Sequence, residues 1–163
     1  MRKVTEPEIR ESFVNCSKGE AKRLAVPRDL DQLPWADLDF LGWRDPGAPD
    51  RTYLVMDRPA GLTGVAFRFP RVQRGFLQRN MCTLCHTSHP GNGVSLMTAR
   101  KPGRAGREGN SAGLHMCTDL ACPLYLRGLK STGPMRYEES LTLEQKVERM
   151  SDRLEEFLAT LYA

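Results

Sequence analysis

Four cysteines constrain this chain more than any other feature. Cys82 and Cys85 form a C-x2-C pair, Cys117 and Cys122 form a C-x4-C pair, and 31 residues lie between the two. Zinc takes four ligands at the corners of a tetrahedron and favours thiolate sulfur, and two close-spaced pairs supply that set. A tight turn across C-x2-C aims both sulfurs at one ion while its backbone amides hydrogen-bond them. In a reducing compartment, paired cysteines signal metal or redox chemistry rather than disulfides. Either pair alone would be a weak signal; together they are a strong one. Four thiolates leave no open coordination position, so the expected cofactor is one structural Zn2+, not a catalytic one.

Other uses of these cysteines fit less well. The first pair sits in MCTLCHTSHPG, and C-x-x-C-H is also the attachment pattern of c-type haem. Haem attachment requires export, and the opening MRKVTEPEIRES has no apolar signal core. It would also leave Cys117 and Cys122 unexplained. A thioredoxin-like dithiol needs a βαβ context, whereas a Gly-rich hairpin pattern follows here. His86, His89 or His115 could replace a cysteine, but the four thiolates already complete the shell. No window approaches the 18 apolar residues of a membrane span. The chain is therefore expected to be cytoplasmic, with no membrane partner.

The flanking pattern predicts an α+β fold, a small antiparallel sheet with flanking helices and a treble-clef zinc finger built on the four cysteines. Thr5 with Glu8 and Ser17 with Glu20 are capping boxes for two short helices. Ile9, Phe13 and Cys16 follow the first at helical spacing, which places Cys16 as a small buried residue on that helix. DLDQLPWADLDFLGWRDPGAPD reads as turn-rich, with Leu33, Trp35, Leu38, Phe40, Leu41 and Trp43 as packing anchors. RTYLVMD and GLTGVAFRF read as an antiparallel hairpin with Phe67 and Phe69 in the core. GVSLMTARK and GLHM are two further strands joined by the Gly-rich loop PGRAGREGNSA. Thr118 or Asp119 can cap a helix that carries Cys122 near its N-terminus, with Pro123 at an early position. A knuckle, a hairpin and then a helix with the last ligands is the treble-clef order. Thr142 with Gln145 caps a long C-terminal helix whose face is Leu143, Val147, Met150, Leu154, Phe157, Leu158 and Leu161. One domain over residues 1–163 is expected, with the zinc module at roughly 80–130.

Charge is unevenly distributed. Between Asp57 and Glu108 there is no acidic residue and there are nine basic ones, in a chain whose net charge is only +4. Such a block attracts a polyanion or an acidic protein face. Arg71, Arg74, Phe76 and Arg79 interleave charge with one aromatic, a sparse form of the single-strand RNA-binding pattern. No Walker motif, nucleophile elbow, paired carboxylates, open metal site or general base is visible, so an enzyme is not expected.

The segments FVNCSKGEAKRL, LPWADLDFLGWRDP, MCTLC, GVSLMTARK and MCTDLAC together resemble one family. It is the C-terminal treble-clef zinc domain of the elongation factor G-binding, fusidic-acid-resistance proteins. The resemblance runs from about Val4 into the last helix and carries the zinc ligands onto Cys82, Cys85, Cys117 and Cys122. It implies a protein that binds elongation factor G and helps it leave the ribosome. Resistance members counter fusidic acid in this way without modifying the drug, so no catalytic residue is implied. Binding in that family is through the zinc-containing domain. The partner surface is accordingly expected at Arg74, Arg79, Arg100, Lys101, Arg104 and Arg107. Resistance members carry an additional N-terminal helical bundle, and this sequence reads as the zinc domain standing alone, acting as a monomer. The alternative is a zinc-stabilised module that binds RNA or the ribosome directly.

Overall fold

A computed structural model describes residues 1–69, 79–133 and 139–163. Local sequence signals start its helices. In α1 (Glu6–Glu11) the Thr5 hydroxyl accepts from the Glu8 amide, and the Glu8 carboxylate accepts from the Thr5 amide. The same reciprocal cap opens α2 (Lys18–Arg23), from Ser17 and Glu20. Two single-turn 3-10 segments follow at Leu30–Gln32 and Trp35–Asp37.

The strands are β1 (Phe40–Arg44), β2 (Arg51–Arg58), β3 (Gly61–Arg68), β4 (Asn80–Met81), β5 (Ser88–His89), β6 (Val94–Arg100) and β7 (Ser111–Cys117). Five of them make the main antiparallel sheet, in the order β1-β2-β3-β6-β7. β2 and β3 form the expected hairpin, in full register from Arg51↔Arg68 to Arg58↔Gly61. Gly61 closes its turn at φ +115°, where a side chain would be strained. The short β4 and β5 pair with each other across the first cysteine knuckle.

Tertiary contacts revise three local expectations. α1 ends at Glu11, so Phe13 and Cys16 lie beyond it. Phe13 instead bridges Gly64 in β3: the Val14 amide donates to the Gly64 carbonyl at 3.0 Å, and the Gly64 amide to the Ser12 carbonyl at 2.9 Å. β3 is open to this because its pairing with β6 is confined to Arg68↔Thr98. Beyond that point Asn15 stands in for the missing strand, accepting from the Ala66 amide and donating to the Ala66 and Arg100 carbonyls. The Gly-rich loop between β6 and β7 contains a short helix, α3 (Gly103–Arg107). Phe40–Arg44, within the segment read as turn-rich, is an edge strand paired in full register with β2.

One sheet face packs against the cysteine module and the C-terminal helix (Leu143–Tyr162), α5. α5 buries Met150, Leu154, Phe157, Leu158 and Leu161, and the Phe157 ring stacks on Phe67 at 5.5 Å. Fully burying a large apolar side chain contributes roughly 1.5–3 kcal/mol, so these five anchor the helix firmly. Leu143, expected on that face, is exposed at the first turn. The other sheet face is covered by the N-terminal segments, with Val4, Ile9, Leu38, Leu41 and Val55 buried between them. Among the described residues, no helix is long and apolar enough to cross a membrane.

Candidate metal centre

The first pair sits in a turn that the β4–β5 hairpin holds closed. The Cys82 amide donates to the Thr87 carbonyl, and the His86 amide to the Cys82 carbonyl, both at 3.0 Å. His86 takes the left-handed conformation, φ +54°, that lets the chain double back. The Thr83 amide then donates to the His115 carbonyl and fixes the knuckle against the edge of β7.

The second pair comes from the end of that same strand. Cys117 is the last residue of β7, and Cys122 is the first residue of α4 (Cys122–Leu126), followed by Pro123. The helix starts later than the sequence suggests and has no side-chain N-cap, its N-cap residue being Ala121. Leu120, at φ +55°, first closes a turn in which its amide donates to the Cys117 carbonyl. Asp119 caps that turn: it accepts from the Ala121 amide, the Tyr125 hydroxyl and the Lys130 ammonium.

These elements bring all four sulfurs together. Cys82 and Cys122 Sγ lie 3.7 Å apart, Cys85 and Cys117 Sγ 3.4 Å apart, and all four fall within 4.8 Å of one another. A tetrahedron with Zn–S bonds of about 2.3 Å has edges of about 3.8 Å, so the set is sized for zinc. A disulfide would need about 2.05 Å, and all five cysteines are free thiols. The four are 0–3% exposed. Burial, then hydrogen bonding to Cys117, Cys82 and Cys85, pushes the Cys122 thiol up. Hydrogen bonds from Cys117, Cys122 and Cys85 pull Cys82 down. Hydrogen bonds from Cys117 and Cys122 lower Cys85 as well, while Cys117 is raised like Cys122. The cluster by itself thus favours ionising the first pair and resists ionising the second, whereas a divalent cation at its centre would allow all four to ionise.

His89, which by its spacing could replace a cysteine, takes a different place. It is buried, its Nε2 lies 3.1 Å from Cys117 Sγ, and its ring meets the edge of Tyr125 at 4.8 Å. Burial lowers the imidazole's pKa, and in the tautomer that carries its proton on Nε2 the ring would donate to the Cys117 thiolate, the outer-sphere contact that orients a metal ligand. Gly93 makes room for it, since a Cβ there would come within 2.4 Å of the His89 Cβ. His86 points elsewhere, with its Nδ1 3.6 Å from Glu139, which also pairs with Arg149 of α5.

Two contacts lock the module onto the sheet. Arg127 makes a forked pair with Asp39 at 2.7 and 3.0 Å, both side chains being mostly buried. Gly42 of β1 lets Leu120 approach so closely that a Cβ would stand 2.4 Å from it.

The expected partner residues are placed differently from one another. Arg74 lies outside the described residues. Arg79 is half-buried and donates to the Ser88 carbonyl and to the Ser88 and Thr132 hydroxyls, so its guanidinium clamps the knuckle. Arg104 is exposed and pairs with Glu108 one helical turn on. Arg100, Lys101 and Arg107 line a cavity of about 260 Å³ that also contains Cys16. Cys16 is half-buried in the bend between α1 and α2, and burial with Glu20 nearby pushes its thiol up to about 11.

With a knuckle, a hairpin and a helix converging on four cysteines, comparison with known proteins becomes specific. A family model described as the FBP C-terminal treble-clef zinc-finger matches residues 8–161. The chain belongs to this family. Its four clustered cysteines suit one structural zinc ion. The solved structure of the fusidic acid resistance protein FusC shares the fold of this FBP-type domain, with a TM-score of 0.50 at 15% identity. The alignment covers 86% of this chain and 52% of that one, so the chain spans about half the length of FusC. A search of the curated proteins returns no match.

Proposed function

We propose that this chain is a non-enzymatic, cytoplasmic binding protein that engages elongation factor G and promotes its release from the ribosome, with a link to fusidic acid tolerance. Family membership across residues 8–161 carries this reading. The chemistry of the centre supports it: four buried thiolates would saturate a zinc ion and leave no position for water or substrate. Zinc therefore serves to hold a surface in shape. That surface includes the exposed cations Arg100, Arg104 and Arg107, which favour fast, salt-sensitive association with an acidic partner.

Affinity capture from a cell lysate, with and without nuclease, tests the reading. Elongation factor G should be retained by the zinc-loaded chain after nuclease treatment. Recovery of ribosomes alone, and only while RNA is intact, would instead make the chain an RNA-directed ribosome binder.

A further inference from the structure

The 260 Å³ cavity continues into a second cleft of about 70 Å³, and the two share Asn15, Cys16, Glu20 and Arg100. One wall is the bend and first turn of α2, residues 14–20. The other is the end of β6 with α3. Arg51 and Arg68 reach the smaller cleft; Lys101 and Arg107 reach the larger. Arg68 is paired with Asp50 at 2.9 Å. Among the described residues, Arg51, Arg100, Lys101 and Arg107 have no ion pair within 4.0 Å, and the only carboxylate lining either cleft is that of Glu20.

We propose that this joined cleft is a docking site for an extended acidic segment of a protein partner, whose carboxylates pair with Arg51, Arg100 and Arg107. The cleft already accommodates one carboxylate. Glu20 is held there by its cap with Ser17, and Arg51 and Arg100 act on it at longer range. Guanidinium groups suit this ligand because their planar fork matches a carboxylate. Single-stranded RNA would also bring negative charge, but it binds through rings on which bases stack. The two rings lining the cleft, Tyr53 and Phe67, are 3% and 2% exposed and pack against Trp43 and Phe157. The proposal rests on the reading of the chain as a binding protein but not on which protein it binds.

The test is a fluorescence titration of the zinc-loaded full chain with labelled hexaglutamate peptide at low salt. Arg100→Glu/Arg107→Glu should weaken binding by about tenfold or more, equivalent to about 1.4 kcal/mol or more. Arg153→Glu, on α5 and outside both clefts, should change it less than about twofold. Glu20→Gln keeps the cap, because glutamine serves at that position too, and should tighten binding severalfold. Zinc content and circular dichroism check that each variant is folded, and the Glu20 variant decides the matter if the double reversal is not. The proposal is overturned by no peptide binding, by equal binding to the charge-reversed variant, or by tighter binding of hexauridylate to the same residues. Capture of elongation factor G is read separately. If wild type and the double reversal retain it equally, the cleft is excluded and the partner stands; if neither does while the peptide binds, the converse holds.

Discussion

Removing zinc should remove most of the fold, because the metal centre lies inside the main core. Cys82, Leu84, Cys85, Cys117, Leu120 and Cys122 are 0–3% exposed and share one cluster with Phe67, Met97 and Phe157. Without the ion, sulfurs within 4.8 Å of one another have nothing to hold them. Leu84 and Leu120 sit within the two cysteine turns, and unseating them alone forfeits roughly 3–6 kcal/mol of burial. The metal's own contribution, about 10–16 kcal/mol in small zinc peptides, matches or exceeds the roughly 5–15 kcal/mol total stability of an ordinary domain. At about 2–4 °C per kcal/mol for a chain of this size, even the packing loss lowers Tm by roughly 6–24 °C. Strong chelation and Cys117→Ser should therefore both abolish the cooperative melt seen by circular dichroism, and metal analysis of the untreated protein should give one zinc per chain. A chelated protein with no zinc, melting within about 2 °C of the loaded form, would refute the argument.

Other outcomes follow from single contacts. Asp39→Ala leaves the Arg127 guanidinium without its forked partner and should cost about 2 kcal/mol, below the roughly 3–5 kcal/mol of a fully buried pair because both side chains keep some solvent contact. Adding Arg127→Met should restore part of that loss in urea unfolding; strictly additive losses would show that the pair does not couple the module to the sheet. Burial, then the hydrogen bond to Asp45, raises the Tyr53 phenol from 10.0 to about 12. The folded state thus binds the extra proton, so this stabilisation is whole below about pH 10 and is lost as pH rises towards about 12; Tyr53→Phe should flatten that decline. In the zinc-loaded protein a thiol reagent at about pH 8 should find one slow thiol, Cys16, and after chelation all five; five fast thiols before chelation would contradict a closed site.

The sequence carries those parts of this molecule whose causes are local. Thr5 with Glu8, Ser17 with Glu20 and Thr142 with Gln145 each satisfy helix-end amides three residues away, and all three caps form. The cysteine pairs are legible for the same reason: each lies within one turn, and the ion's need for four sulfurs joins the two turns across 31 residues. What eludes sequence reading depends on partners far along the chain. α1 stops short of the helical spacing that runs through Cys16 because Gly64 offers a strand edge to Ser12 and Val14, and Ala66, 51 residues beyond Asn15, takes the Asn15 side chain as a substitute strand. β1 is hidden among turn formers because its register comes from β2 and its closeness to Leu120 from Gly42. Function divides along the same line. Metal chemistry is written in spacing, but whether an arginine faces outward depends on what folds against it. Arg79 and Arg100 look alike in the sequence, yet one guanidinium clamps the knuckle through Ser88 and Thr132, while the other lines an open cleft beside a single carboxylate. A basic block therefore predicts an acidic partner, and the fold selects which of its charges can meet one.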